Sequence, residues 1–192
     1  WIRTIFIKLN KVMKFIKTEI RDVVILEPTV YKDDRGYFFE SYNKEQFDKH
    51  VGEVNFIQDN QSKSVKGVLR GLHFQRPPFT QAKLVRCLEG TIVDVAVDVR
   101  KGSPTYGQHV SVELSGENKK QLFIPRGFAH GYSVLEDNTI FVYKCDNFYH
   151  PKAEDGIIYN DTTLNIDWML SDDEIIVSEK DKAQKKFNEL EL

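Results

Sequence analysis

The sequence predicts a mainly β protein in which antiparallel strands form a sandwich or barrel, with a jelly roll as the leading candidate. The clearest observation is the alternation of four valines in residues 93–99 with Asp94, Ala96 and Asp98. A period of two places these valines on one face of a strand. Turn residues separate further short β-rich runs, and helix signals are confined to the margins of the chain.

The other elements follow in chain order. Asn43 is expected to cap a short helix that runs to His50, and the polar, charged residues 178–192 are suited to a terminal helix. The other predicted strands cover residues 23–26, 37–42, 83–87, 109–114, 121–124 and 140–145. Turn signals at residues 34–36, 89–90, 101–104, 115–116 and 125–127 separate most of them.

The domain organisation is expected to be simple. The chain of 192 residues has no internal repeat, low-complexity segment or linker, so residues 13–192 are predicted to form one domain. Its hydrophobic fraction of 41% can fill a substantial core, which excludes disorder as the main state. Because Met13 opens a well-patterned stretch, residues 1–12 are expected to be an extension upstream of the natural start.

Charge and cysteine content exclude several function classes. With 27 basic and 29 acidic residues, the chain has no general electrostatic reason to bind nucleic acid. It has no apolar span of membrane length and no signal-peptide core, so neither membrane insertion nor secretion is expected. Cys87 and Cys145 form no CxxC pair and signal no disulfide framework, so a reducing cytoplasm fits best.

Two of the five histidines have informative neighbours. Arg70 precedes His73 by three positions in a strand-like run bracketed by glycines, so a basic group and an imidazole can share a pocket. His130 ends a Pro-x-Gly-x-x-His turn that resembles the second motif of the cupin superfamily. Metal-binding cupins generally add a His-x-His pair and a glutamate, which this chain lacks at residues 73–75, so no metal is expected.

Residues 63–75, together with residues 83–86, carry a longer resemblance. Further matching segments lie in order at residues 33–40, 58–60, 94–100, 124–131 and 141–149. Over residues 13–181 the chain resembles the dTDP-4-dehydrorhamnose 3,5-epimerase family. The resemblance implies a cupin jelly roll and an isomerase that needs no cofactor. Such an enzyme inverts C3 and C5 of a 4-keto deoxysugar on thymidine diphosphate, before the reductase that completes dTDP-L-rhamnose.

That chemistry needs a base, a donor to the ketone oxygen and an acid on the opposite face, because each inversion passes through an enolate. His73 is the candidate base, since an imidazole titrates near neutral pH. The resemblance implies that Asp181 orients His73 and that Tyr143 is the acid. It also places Lys83 in the pocket, where we assign it to the enolate oxygen.

The resemblance further implies how the nucleotide sugar is bound. Tyr149 is expected to stack on thymine, and cationic side chains are expected to hold the diphosphate. Relatives frequently have two tyrosines where this chain has Phe148 and Tyr149. A homodimer is implied, in which Arg35 reaches the neighbouring subunit's site. The expected substrate-contacting residues are Arg35, Glu40, Gln58, Asp59, Asn60, Arg70, His130, Glu154 and Lys180.

Three alternatives stay open. A mono-epimerase acting on a related 4-keto deoxysugar is the nearest, and the presence of Tyr143 argues against it. A non-catalytic sugar-nucleotide-binding cupin would not need the catalytic pair His73 and Asp181, yet both residues are present. A metal-dependent cupin oxygenase is disfavoured by the missing His-x-His pair.

Overall fold

The computed structural model describes residues 13–191, so the expectation about residues 1–12 lies outside the described part. Its two α-helices are α1 (Lys44–His50) and α2 (Glu179–Lys182), and single 3-10 turns cover Pro151–Ala153 and Phe187–Glu189. The strands are β1 (Met13–Lys17), β2 (Val24–Pro28), β3 (Tyr31–Asp33), β4 (Gly36–Phe38), β5 (Gln58–Ser64), β6 (Val68–Gln75), β7 (Lys83–Glu89), β8 (Thr91–Asp98), β9 (His109–Ser115), β10 (Gln121–Ile124), β11 (Phe128–Val134), β12 (Thr139–Cys145), β13 (Glu154–Gly156) and β14 (Ile176–Val177).

Two large sheets organise the molecule. The first has the strand order β1-β2-β10-β7-β12-β5, and the second has the order β13-β6-β11-β8-β9. Neighbouring strands in both orders are antiparallel, while β14 pairs in parallel with β6. Strands β3 and β4 form a separate hairpin. The predicted antiparallel jelly roll is confirmed.

The main apolar core lies between the two sheets. Val85, Leu122 and Phe141 enter it from the first sheet, and Ile92 and Leu114 enter it from the second. Burying such side chains supplies the main stabilising free energy of the sandwich. Polar side chains on the same inward faces therefore share the space between the sheets.

Strand β8 is buried on both faces. Its valines lie on the outer side of the second sheet, where Trp168 and Phe187 of the C-terminal region cover them. Asp94 lies on the opposite, inward face and has no exposed area. The alternating sequence thus separates an apolar outer face from an inward face that carries a carboxylate.

Helix α1 covers the outer face of the first sheet. Asn43 caps the helix as predicted, because its Oδ1 accepts a hydrogen bond from the Gln46 N–H at 3.1 Å. Phe47 is fully buried in a third apolar cluster, and its ring lies 5.3 Å from the ring of Phe123. This one side chain therefore joins the helix to the sheet.

Replacing Phe47 with alanine is expected to lower the free energy of unfolding by about 3–5 kcal/mol, because a buried phenyl ring leaves a cavity. Urea denaturation followed by circular dichroism measures the change. Phe148→Ala is the matched control, since the Phe148 side chain is 63% exposed and its loss should cost at most about 0.5 kcal/mol. Equal losses in both variants would contradict this account of the helix–sheet contact.

Two predicted elements differ from the structure. The strand predicted at residues 37–42 ends early, because β4 stops at Phe38 and the Ser41 carbonyl accepts a hydrogen bond from the Gln121 side chain instead. The predicted helix over residues 178–192 is wrong in extent, since α2 covers only Glu179–Lys182. The chain leaves the helical path because Phe187 packs into the apolar cover of β8. Leu192 lies outside the described residues.

Two observations bear on compartment and membrane. Cys87 and Cys145 are both buried free thiols. Burial raises the pKa of Cys87 to about 11, which keeps this thiol protonated at neutral pH. Within residues 13–191, no helix has the length and apolar character needed to cross a bilayer.

Candidate active site

Two adjoining cavities of about 250 and 260 Å³ lie between the sheets. Both are lined by Asn60 of β5, Lys83 of β7, Tyr143 of β12 and His73 of β6. The first three belong to one sheet and His73 belongs to the other, so the cavities separate two walls. The sequence-predicted residues that line one cavity alone are Gln58, Tyr149 and Glu154 in the first and Arg70 and His130 in the second.

His73 forms a dyad with Asp181. The His73 Nε2 lies 2.6 Å from Asp181 Oδ1, although the two residues are 108 positions apart in the chain. Burial acts to raise the pKa of Asp181, but the hydrogen bond and charge of His73 outweigh it and hold that pKa below its ordinary value. An ionised carboxylate can only accept a hydrogen bond, so in the neutral imidazole Nε2 carries the proton and Nδ1 has a free electron pair.

The short helix α2 places Asp181. Ser178 caps the helix, and its Oγ accepts a hydrogen bond from the Asp181 N–H at 3.1 Å. The Gly71 N–H donates to Asp181 Oδ2 at 3.4 Å, which ties the carboxylate to β6. Further along, the Phe187 N–H donates to Asp161 Oδ2 at 2.8 Å. We call residues 178–191 the C-terminal strap, because this segment lies across the second sheet and carries one half of the dyad.

Lys83 and His130 form a second polar group deeper between the sheets. The Lys83 Nζ lies 3.4 Å from His130 Nδ1, and His130 Nε2 lies 2.9 Å from Asp94 Oδ2. Burial lowers the pKa of Lys83, while negative charge at Cys145, Asp94 and Glu154 acts to raise it. Sequence reasoning missed Asp94, although its place among the alternating valines of β8 was the available signal.

Tyr143 faces the dyad from the other wall. Its ring centroid lies 5.7 Å from Lys83 Nζ. Burial raises the pKa of Tyr143 to about 12, and this phenol is therefore protonated at neutral pH. The arrangement supplies a base on one side, a proton donor on the other and an ammonium group beside both.

The open side of the cavity carries the residues predicted to hold the nucleotide. The Tyr149 hydroxyl donates to Glu154 Oε2 at 2.6 Å, and Lys180 Nζ lies 2.6 Å from the same oxygen. The Tyr149 N–H donates to Gln58 Oε1 at 3.4 Å, and Gln58 in turn donates to Asn60. Tyr149 remains 52% exposed, so part of its ring is open to a ligand.

Three predicted residues lie away from the cavities. Asp59 points to the outer face of the first sheet and pairs with Lys144 at 3.0 Å, because neighbouring residues of a strand face opposite sides. Arg35 lies in the β3–β4 hairpin, where its exposed guanidinium pairs with Asp33. Glu40 is half-buried in the segment after β4. Within one chain, the structure does not bring these three residues to the dyad.

No group of three or more His, Cys, Asp or Glu side chains in residues 13–191 is arranged to hold a metal ion. The two histidines of the site each contact a carboxylate instead, His73 through Asp181 and His130 through Asp94. Histidine–carboxylate pairs of this kind are suited to proton transfer and hydrogen bonding.

A jelly roll with a histidine–carboxylate dyad, an opposed tyrosine and an enclosed lysine between its sheets defines a cupin-fold acid–base protein. A family model described as dTDP-4-dehydrorhamnose 3,5-epimerase matches residues 17–189. The chain belongs to this family, which confirms the resemblance inferred from the motifs.

Known relatives are similar over most of their length. The dTDP-4-dehydrorhamnose 3,5-epimerase of Shigella flexneri is 54% identical over 176 residues, which cover 91% of this chain and 96% of that protein. A dTDP-6-deoxy-D-glucose-3,5-epimerase of Legionella pneumophila, solved with dTDP-4-keto-L-rhamnose, is 50% identical with a TM-score of 0.89, covering 93% of this chain and 94% of that one. A 3'-monoepimerase of Streptomyces bikiniensis, solved with dTDP-quinovose, is 31% identical with a TM-score of 0.83, covering 90% and 87%.

Proposed function

We propose that this protein is an isomerase that inverts C3 and C5 of dTDP-4-dehydro-6-deoxy-D-glucose to give dTDP-4-dehydro-L-rhamnose, on the route to dTDP-L-rhamnose. The observation that carries the proposal is the opposition of the His73–Asp181 dyad and Tyr143 across one cavity, with Lys83 beside them. Family membership and the relative solved with dTDP-4-keto-L-rhamnose support this substrate.

His73 begins each inversion by taking a proton from a carbon next to the C4 ketone. The electron pair of the broken C–H bond forms a carbon–carbon double bond, and negative charge develops on the C4 oxygen. Asp181 supports this step because its negative charge stabilises the imidazolium that forms. Well-placed acid–base groups of this kind contribute ~10²- to 10⁴-fold in rate.

Lys83 stabilises the enolate. Its ammonium group lines both cavities and donates a hydrogen bond to the C4 oxygen as charge develops there. An interaction that strengthens as the enolate forms stabilises the transition state more than the bound substrate, so it lowers the activation free energy. Losing one such donor raises the activation free energy by about 3 kcal/mol.

Tyr143 completes the inversion by returning a proton to the opposite face of the carbon. Its phenol is protonated at neutral pH because burial raises its pKa to about 12. The tyrosinate left behind recovers a proton from solvent, and His73 releases its own. One round at C3 and one at C5 give an isomer of the substrate, so atoms, charge and oxidation state balance without a co-reactant.

Nucleotide binding is assigned to the open side of the cavity. The exposed ring of Tyr149 stacks on thymine, and the Tyr149–Glu154–Lys180 contacts fix its edge. Lys180 and Arg70 supply positive charge for the diphosphate. Gln58 and Asn60 supply hydrogen bonds to the sugar and phosphate groups, and His130 lines the second cavity beside Lys83.

Assembly as a homodimer is part of the same proposal. The β3–β4 hairpin exposes Tyr31, Tyr37 and Phe38, three large aromatic side chains that a partner surface would cover. The Arg35 guanidinium lies on this hairpin and is 85% exposed. Arg35 and Glu40 reach the partner subunit's site from there, which accounts for their distance from the dyad of their own chain. Reduced thiols at Cys87 and Cys145 support a cytoplasmic location.

A mono-epimerase is the second candidate, and residue types alone do not separate it from the first. The Streptomyces 3'-monoepimerase has also been solved as a double variant in which a histidine and a tyrosine are replaced, so it possesses both residue types. The presence of Tyr143 is therefore a weaker argument for two inversions than the motif match. An experiment that reads each carbon separately makes the distinction.

Deuterium is expected to enter both C3 and C5 when the purified protein is incubated with dTDP-4-dehydro-6-deoxy-D-glucose in deuterated water, without added metal or nucleotide cofactor. NMR spectroscopy of the sugar identifies each labelled carbon. A His73→Ala sample is the control and should leave both carbons unlabelled. Label at one carbon alone would select the mono-epimerase, and binding without any exchange would select a binding protein or another sugar.

A further inference from the structure

Asp94 is the one site carboxylate for which the mechanism above has no use. It lies in the middle of β8, has no exposed area and points into the space between the sheets. One oxygen contacts His130 Nε2 at 2.9 Å, while the other, Oδ1, has no hydrogen-bond partner among the described residues. A buried carboxyl group with only one of its two oxygens hydrogen-bonded lowers the stability of the fold. The reason that Asp94 occupies this position is therefore to be sought in the function of the site.

The chain of contacts from Asp94 leads to Lys83. An ammonium group has hydrogen-bond donors and no acceptor, so in the 3.4 Å contact of Lys83 Nζ with His130 Nδ1 the imidazole must accept. A neutral imidazole that accepts at Nδ1 carries its proton on Nε2, which faces Asp94 Oδ2. One tautomer of His130 therefore satisfies both contacts.

We propose that Asp94 is a positioning residue for the reaction, which holds His130 in the Nε2–H tautomer and thereby keeps the Lys83 ammonium group in place beside the substrate ketone. This inference rests on the proposed function, because it deepens the assignment of Lys83 to the enolate oxygen. Asp94 acts through His130 and touches no reacting atom.

The charges around Lys83 give Asp94 a second effect. The titratable groups that face Lys83 come from five other strands. They are Arg70 and His73 from β6, Asp94 from β8, His130 and Tyr132 from β11, Tyr143 and Cys145 from β12, and Glu154 from β13. Burial lowers the pKa of Lys83, and Asp94 opposes that shift. Burial also lowers the pKa of His130, which keeps this ring neutral between a cation and an anion. Removing the Asp94 charge should therefore lower the pKa of Lys83 further.

Asp98 provides a matched control on the same strand. It is equally buried and lies on the same face, about 13 Å further along β8. Both of its oxygens are satisfied, by Arg100, Ser103 and Thr105. Asp98→Asn thus removes a buried carboxylate from the strand without touching the His130–Lys83 contact.

The test compares Asp94→Asn with Asp98→Asn in the protein without substrate, by NMR of ¹⁵N-labelled histidine and of the lysine ¹³Cε signals. The Lys83 titration is expected to move down by about one pH unit or more in Asp94→Asn alone. The alkaline limb of the kcat profile should move down with it, because the ammonium form is lost at a lower pH. The kcat at alkaline pH should fall about tenfold, with partial recovery near pH 6.

Several results would overturn the inference. An unchanged Lys83 titration in Asp94→Asn, or an equal shift in both variants, would make Asp94 a structural residue. If Asp94→Asn does not fold, the wild-type spectrum decides, since a His130 proton on Nδ1 rather than on Nε2 contradicts the proposed contact chain. The Lys83 titration and the His130 spectrum need no turnover, so these two NMR readouts stay valid even if the proposed substrate proves wrong.

Discussion

Replacing His73 with asparagine is expected to lower kcat by about 10²- to 10⁴-fold, with a much smaller change in KM. Asparagine can keep a hydrogen bond to Asp181, but it cannot take up a proton at neutral pH. Because the same group starts both inversions, deuterium entry at C3 and at C5 should fall together. Steady-state kinetics and NMR exchange on the same samples measure both effects.

His109→Asn is the matched control for that experiment. His109 lies half-buried on β9 and does not line either cavity, so its replacement removes an imidazole elsewhere in the second sheet. This variant should keep the wild-type kcat. A His73→Asn enzyme with most of its activity intact would show that another group is the base.

Replacing Tyr143 with phenylalanine is expected to separate proton exchange from inversion. The variant keeps the ring that packs against Phe141 at a centroid distance of 5.7 Å, and it loses only the hydroxyl. His73 can still remove a proton and return one from solvent to the same face. Net epimerisation should fall by about 10²- to 10⁴-fold, while deuterium still enters substrate whose configuration is unchanged.

Tyr106→Phe removes a phenol away from the cavities, where Tyr106 packs against Phe187, and it should leave both activities unchanged. NMR of the recovered sugar distinguishes labelled substrate from labelled product. If Tyr143→Phe forms product at the wild-type rate, water or another group is the acid. If exchange disappears together with inversion, the hydroxyl is needed before the carbon is deprotonated.

Local features of the fold were predictable because neighbouring residues decide them. The Asn43 cap and the strand at residues 93–99 depend on side chains within a few positions. The terminal helix was mispredicted because Phe187 is held by contacts with β8 and Asp161 that a polar local sequence does not reveal. Tertiary packing overrode helix propensity there.

The candidate site depends on contacts between distant segments. His73 and Asp181 meet across 108 positions, and no periodicity joins them, so only the resemblance to a family suggested the pair. Asp94 was read as part of a strand pattern, because the sequence does not tell which face of a doubly buried strand meets the other sheet. In the proposed dimer, the roles of Arg35 and Glu40 would depend on a second copy of the chain, which local sequence does not describe.

The C-terminal strap has a consequence for the native ensemble. Asp181 is supplied by a segment whose helix spans only Glu179–Lys182 and whose backbone is tied to the rest of the chain at few points, chiefly Ile158, Asp161 and Arg76. Such a segment can undock while both sheets stay folded, because sub-global openings need less free energy than complete unfolding. Every opening takes the carboxylate away from His73. In the proposed mechanism, the fraction of molecules competent for catalysis therefore depends on the docking equilibrium of the last fourteen described residues as well as on the stability of the jelly roll.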